Sequence, residues 1–266
     1  MIKDITIGQY IPGDSKIHKM DPRAKILISI IYIIDLFIVN SLKGYIFVTI
    51  FTLSCIIISK IKFKYIFKGL KPIILLILIT AVFNIFLTPG ENLVWNYKAI
   101  SIYEEGLYLA FFMVVRLVFL ITGTSILTLT TSPIELTDGI EKLLNPFKKI
   151  GVPAHELAMM MTIALRFIPT LMDETDKIMK AQMARGADFE SGNIVKRAKN
   201  LIPILVPLFI SSFRRADELA MAMESRCYRG GEGRTRMKIL KFSVNDAVGS
   251  IVTIAFVGVS VWSRSL

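Results

Sequence analysis

Residues Leu70–Leu87 read LKPIILLILITAVFNIFL, and after Lys71 the run carries no charge. A helix crosses a bilayer with about 20 mostly apolar residues, so this stretch is long enough to span one and ill suited to water. Four further stretches dominated by Ile, Leu, Val and Phe flank it: Ala24–Val39, Tyr45–Ser59, Leu107–Thr130 and Ala247–Trp262. With 53% hydrophobic residues and a mean hydropathy of +0.59, the composition predicts an all-α integral membrane protein with about five transmembrane helices.

The net charge of +11 would suggest nucleic acid in a soluble protein. In a membrane protein basic residues gather in cytoplasmic loops and face anionic lipid, so no nucleic-acid partner is expected. Lys60, Lys62, Lys64, Lys68 and Lys71 crowd the second loop, whereas the third sets Lys98 against Glu91, Glu104 and Glu105. The positive-inside rule then places the N-terminus in the cytoplasm and the C-terminus outside a multi-pass cell-membrane protein. The first two dozen residues are polar and hold no cleavable apolar segment, so the first span is expected to stay. Cys55 and Cys227 have no metal or redox spacing.

These readings divide the chain into a membrane region at 1–131 with four spans, a cytoplasmic module at 132–241, and a final span within 242–266. The middle module is rich in charge of both signs yet keeps its apolar positions at helical spacing. Ser132, Pro133 and Glu135 fit an N-cap, a first helical residue and a capping box, and Asn145-Pro146 ends that helix. A second helix follows Gly151-Val152-Pro153 and runs towards Gly186, with Asp173–Lys177 and Asp176–Lys180 spaced as i, i+4 pairs. A third runs from about Ile194 to the glycines at 230–233, bent at Pro203 and Pro207.

Both of these long helices end in the same pattern. The chain reads AQMARGADF around Arg185 and AMESRCYRG around Arg226, 41 residues later; the same shift aligns Asp176 with Asp217, Ile178 with Leu219 and Ala181 with Ala222. A small residue before the arginine, Ala184 or Ser225, lets a helix tip enter a groove. Gly186 can take the left-handed conformation that ends a helix, leaving the guanidinium as a planar donor to carboxylates or amides. Two matched tips imply two similar partners or one symmetric partner.

With the leader GQYIPGDSKIHKMDPRAK, the Ala184–Gly186 motif and the Ser225–Cys227 motif, essentially the whole chain resembles the transmembrane T component of energy-coupling factor transporters. The family is the vitamin-importing branch of the ATP-binding-cassette transporters. The resemblance implies a transmembrane scaffold whose Ala184, Arg185, Gly186, Ser225, Arg226 and Cys227 dock two ATPase subunits. The two long helices would be crossed coupling helices beneath an exchangeable substrate-binding membrane subunit. It also implies no catalysis and no cofactor in this chain, ATP and magnesium being bound by the ATPases. Cys227 stands where the family has glycine, so the third helix is expected to run on to Gly230.

The residues agree on the absence of catalysis. No phosphate-binding loop is present: Gly230–Gly233 leads into Arg-Thr-Arg and follows a helix, not a strand. The only histidines, His18 and His155, assemble neither a metal site nor a catalytic triad. Nine of the twelve methionines fall within 132–241, and Met159, Met160, Met161, Met172 and Met179 are candidate contacts for the membrane subunit, because Met-rich surfaces repack against varied partners. The apolar run LIPILVPLFISSF at 201–213 is short for a span and is expected to lie beneath that subunit. Within the bilayer, Asp35 and Arg116 lie at similar depth, which suggests an ion pair. A T component of a dedicated cobalt or nickel importer would share the arginine motifs. A stand-alone carrier or intramembrane enzyme would need more intramembrane ionisable groups than Asp35, Asn84 and Arg116 supply.

Overall fold

The computed structural model describes residues 10–97, 100–189, 191, 193–231 and 240–263. In chain order the helices are α1 (Pro22–Ile38), α2 (Leu42–Ser59), α3 (Phe63–Leu70), α4 (Ile74–Leu87), α5 (Glu104–Thr130), α6 (Pro133–Leu144), α7 (Ala154–Ala184), α8 (Ile194–Asn200), α9 (Ile202–Glu224) and α10 (Val244–Trp262). A two-stranded antiparallel hairpin, β1 (Leu93–Tyr97) and β2 (Ile100–Tyr103), precedes α5, with Trp95 opposite Ile102 and a bulge between Leu93 and Trp95. Among the described residues, 10–140 with 240–263 form one compact unit and 141–231 another.

The first unit is a bundle built from the apolar segments. Leu42–Ser59, Phe63–Leu87, Glu104–Thr130 and Val244–Trp262 are each long and apolar enough to cross a membrane. The first expected span, α1, is a shorter helix of 17 residues. The third expected span begins seven residues earlier than Leu70. Phe63, Ile66, Phe67 and Leu70 repeat at i, i+3, i+4 and i+7, so the lysine-rich loop winds into α3 and a 3-10 turn at Lys71–Ile73 leads into α4. The hairpin was not legible from hydropathy. Its connection to α5 is held by Glu105, whose carboxylate accepts from the Glu91 and Asn92 amides at 3.1 and 3.3 Å.

The core gathers Tyr32 and Leu36 of α1, Val39 just after it, Tyr45 and Val48 of α2 and Phe256 of α10. Phe51 stacks on Phe256 at 4.3 Å between ring centroids, and the buried Tyr32 hydroxyl meets Thr52 Oγ1 at 2.9 Å and donates to the Phe119 carbonyl at 3.3 Å. Gly123 lets α5 approach Tyr32; a Cβ there would lie 2.4 Å from the ring. A second cluster of Ile56, Ile61, Ile66 and Leu129 closes the other end of the bundle.

The polar leader folds into this second end. His18 ties Ser15 Oγ at 2.6 Å to the Ile11 carbonyl at 3.0 Å, and the buried Lys25 ammonium donates to the His18 and Thr130 carbonyls and to Thr131 Oγ1 at 3.0–3.2 Å. Asp21 caps α1 and accepts from Arg23 at 2.8–2.9 Å. Its own amide donates to Asp246 Oδ1 at 2.7 Å, while Asp246 Oδ2 accepts from the Ser243 amide at 2.6 Å in the capping box of α10. One carboxylate thus joins the first turns of the first and last bundle helices.

The proposed Asp35–Arg116 ion pair does not form. Asp35, 1% exposed, accepts from Ser260 Oγ of α10 and leaves Oδ2 without a partner. Arg116 reaches instead to Asn40 Oδ1 at 2.7 Å, the Val39 carbonyl at 3.3 Å and the Tyr45 hydroxyl at 3.3 Å, with its guanidinium 5.5 Å from the Phe37 ring. The reason is reach: a long arginine snorkels to the polar helix ends, whereas a short carboxylate must find a donor on the adjacent helix.

Two outcomes follow from the joined caps. Asp246→Ala removes a cap and orphans a buried amide, so the chain should lose about 2–4 kcal/mol of stability in detergent denaturation. Burial alone would raise the Asp21 carboxyl, but the Arg23 side-chain and backbone hydrogen bonds and the charges of Arg23 and Lys25 outweigh it and hold it below the ordinary value. A depressed carboxyl stabilises the fold above its unfolded value of about 3.9 and loses that contribution as pH falls through the lower folded value. Stability measured against pH should therefore drop below about pH 4, and Arg23→Gln should flatten that acid limb.

Candidate functional site

The second unit carries the two arginine motifs, and they end their helices in the same way. After α7, the Arg185 amide donates to the Gln182 carbonyl, the Gly186 amide to Met183 and the Ala187 amide to Gln182, each at 3.0 Å. After α9, the Arg226 amide donates to Met223 at 3.2 Å, the Cys227 amide to Glu224 at 2.8 Å and the Tyr228 amide to Met223 at 3.0 Å. Every bond of the first set maps onto one of the second by the 41-residue shift. The six-to-one bond from Ala187 or Tyr228, with a left-handed residue just before it, is the hydrogen-bond signature of a Schellman cap.

Gly186 takes that left-handed position with φ 85°. At the second tip Cys227 takes it, with φ 55°, and α9 ends at Glu224. The expected run of the third helix to Gly230 is therefore corrected: the cap geometry overrides the usual penalty of about 1–2 kcal/mol for a side chain in this conformation. Ala184, Arg185, Gly186, Ser225, Arg226 and Cys227 are all exposed, and neither guanidinium has a partner among the described residues.

Where the tips lie depends on how α7 and α9 pack. Glu174 of α7 accepts from Ser211 Oγ and from Arg215 at 2.8 Å on α9. Gln182 donates to the Pro203 carbonyl at 3.5 Å, and the Tyr228 hydroxyl contacts Met159 Sδ at 3.0 Å. As residue numbers rise along α7 their partners fall along α9, so the two helices run antiparallel and the tips point to opposite ends. From Met159, beside the second tip, to Arg185 at the first, the 1.5 Å rise gives about 39 Å. A repeat of 41 residues packed antiparallel on itself is a local two-fold arrangement, centred near Glu174 and Arg215.

The i, i+4 pairs expected on α7 do not close; the ion pair formed there is Glu174 with Arg215 between helices. Position 215 is position 174 plus 41, so the repeat signalled this contact, but periodicity alone did not say that the copies touch. The third helix is broken at Leu201 into α8 and α9, because Pro203 lacks the N–H that a continuous helix needs; Pro207 remains inside α9. α6 starts and stops where expected, with the Glu135 amide donating to Ser132 Oγ at 3.3 Å and a 3-10 turn from Asn145.

The methionine candidates divide. Met160 and Met161 are exposed, Met172 and Met179 are half-buried, and Met159 is turned towards Tyr228. The larger apolar surface is on α9. Ile202, Leu205, Val206, Phe209, Ile210 and Phe213 are each at least 50% exposed, at the spacing of one broad helix face. His155, in the first turn of α7, contacts Glu141 Oε1 through Nδ1 at 3.0 Å. Among the described residues no group of three or more His, Cys, Asp and Glu gathers as metal ligands would.

A family model described as CbiQ, cobalt transport protein, matches residues 13–238. Curated relatives cover nearly the whole chain and bear the name energy-coupling factor transporter transmembrane protein EcfT. The protein of Clostridium kluyveri is 72% identical over 99% of this chain and 98% of its own length. That of Thermosediminibacter oceani is 59% identical over 99% of both. That of Bacillus subtilis is 47% identical over 96% of this chain and 97% of its own length.

A Cβ at Gly186 would meet nothing within 4 Å, so any penalty for adding one is backbone strain. Gly186→Ala should open the first cap by about 1–2 kcal/mol, read as roughly 5- to 30-fold faster hydrogen exchange at the Ala187 amide. Cys227→Gly should slow exchange at Tyr228.

Proposed function

The chain belongs to the family of energy-coupling factor transporter transmembrane proteins, and from that premise we propose that it is the subunit through which two cytoplasmic ATPases move a substrate-binding membrane subunit. The observation that carries the reading is the pair of equivalent caps at opposite ends of α7 and α9. Two exposed arginine tips at opposite ends of a helix pair spanning about 39 Å, related by a local two-fold, suit two similar ATPases better than one continuous surface. The N-terminus and the tips lie in the cytoplasm, as the lysines after α2 favour, and the C-terminus outside.

In this mechanism each helix tip enters a groove on one ATPase, where the arginine fork bonds acceptors that water would otherwise solvate. ATP-driven closure of the ATPases brings force to both ends of the helix pair. Because Glu174 ties α7 to α9 at the centre, the pair responds as one lever, and the exposed face of α9 with Met160 and Met161 transmits the motion to the membrane subunit. That face is broad and apolar, as an exchangeable partner requires. This chain binds no nucleotide and performs no bond chemistry. Vitamins are the proposed cargo; the cobalt in the family description supports transport of that metal as a second reading, with the cargo bound by another chain.

Co-expression with ATPase subunits and purification from membranes tests the docking. Arg185→Glu or Arg226→Glu should each weaken the complex by about 1.5–3 kcal/mol, and the double variant should lose the ATPases while remaining folded. Undiminished co-purification of the double variant would overturn the docking role. The substrate-binding subunit recovered with the complex distinguishes vitamin from metal cargo.

A further inference from the structure

The leader that carries the family resemblance also walls a crevice for which the transport mechanism has no use. The crevice, about 470 Å³, lies in the membrane bundle between α1, α2, α5 and α10. Its depths are apolar: Ile28 of α1, Phe51 and Cys55 of α2 and Ile126 of α5. Along α10 it runs from Val244 to Thr253, which at 1.5 Å per residue is about 13 Å, close to one leaflet of a hydrocarbon core some 30 Å thick. Ile58, Val248 and Val252 on its rim are 46%, 54% and 50% exposed on helices built to face lipid, so it opens sideways into hydrocarbon.

Its other end is polar and cationic. Lys16, Lys25, Thr130 and Asn245 lie where α1 and α10 begin and α5 ends. Among the described residues no acidic side chain lines the crevice. Lys25 is held by three neutral oxygens with no carboxylate at ion-pair distance, though Glu135, Asp246 and Asp21 temper its field from farther off. Lys16 is exposed and has no hydrogen-bond or ion-pair partner among the described residues. Lys19 and Arg23, its neighbours in the leader, are taken by Asp14 and Asp21.

We infer that this crevice is a binding site for an anionic glycerophospholipid, with one acyl chain between α1, α2, α5 and α10 and the phosphate beside Lys16. An apolar slot open to hydrocarbon fits a chain, and an unpaired ammonium at the headgroup end, with no acid nearby in the lining, selects negative charge. An apolar slot open to hydrocarbon does not suit a water-soluble cargo. The leader residues Lys16, Ile17 and Met20 thereby acquire a role: they form the wall that a lipid seals against the bundle end.

The full chain, with Trp95→Phe, Trp262→Phe and Ile58→Trp, gives a single fluorescent reporter on the rim. Reconstituted in mixtures of phosphatidylcholine and phosphatidylglycerol with brominated acyl chains, the reporter should be quenched more by brominated phosphatidylglycerol, by about fivefold in relative affinity for one lysine. Lys16→Glu should bring the ratio to one or below, and 0.5 M salt should reduce it without any change at Lys16. Equal quenching by the two lipids, or a preference that survives both Lys16→Glu and salt, would overturn the proposal. If the reporter variant does not fold, native mass spectrometry of the unmodified chain against Lys16→Glu decides it: retention of one phosphatidylglycerol by the former alone is expected, and equal retention overturns the site.

Discussion

Glu174 joins the two long helices of the second unit at their centres. Its carboxylate accepts from Ser211 and Arg215 at the middle of α7 and α9, where the antiparallel helices are opposed about their centres. At 22% exposure for Glu174 and 33% for Arg215 the pair is neither free in water nor fully dry. Its charge-assisted bonds therefore hold better than those of an exposed pair, without the full desolvation penalty of a deeply buried one. If the register slipped by a turn, the two tips would no longer be related by the local two-fold.

A comparable economy holds the bundle together. Helices in lipid satisfy their own backbones, but their ends do not, and at the leader end side chains meet several of the groups that water would otherwise solvate. Asp21 and Asp246 cap two helices, Asp246 also accepts from the Asp21 amide, Lys25 draws the α5 terminus to the leader, and Thr130 and Thr131 are buried there. The Arg116 and Asp35 side chains show the other solution. Each is an ionisable group within an apolar span, and each meets neutral groups and not an opposite charge: Arg116 three neutral oxygens, Asp35 the Ser260 hydroxyl through Oδ1 alone.

The repeat illustrates how a local rule can be overruled. Glycine is the residue of choice where a helix ends in a left-handed turn, and Cys227 should have disfavoured such an end. The hydrogen bonds from Arg226, Cys227 and Tyr228 reproduce the first tip all the same. The contact of the Tyr228 hydroxyl with Met159 packs the residue after the turn against α7, a tertiary contact that the first tip lacks among the described residues.

What the sequence by itself determined is local: four of the spans from their apolar length, the start of α6 from Ser132 and Pro133, the break at Asn145-Pro146, the two arginines at helix ends, and the family. Each depends on residues within a few positions of one another, where periodicity, caps and proline act directly. Only the tertiary structure decided which way each end faces. That α7 and α9 run antiparallel, that Arg116 turns to Asn40 while Asp35 turns to Ser260, that Asp246 caps across to Asp21, and that the leader walls an apolar crevice are contacts between residues 41 to 225 positions apart. The physical reason is that helix formation is governed by neighbours along the chain, whereas the partner of a buried polar group is set by which helix packing brings a donor or acceptor within about 3 Å.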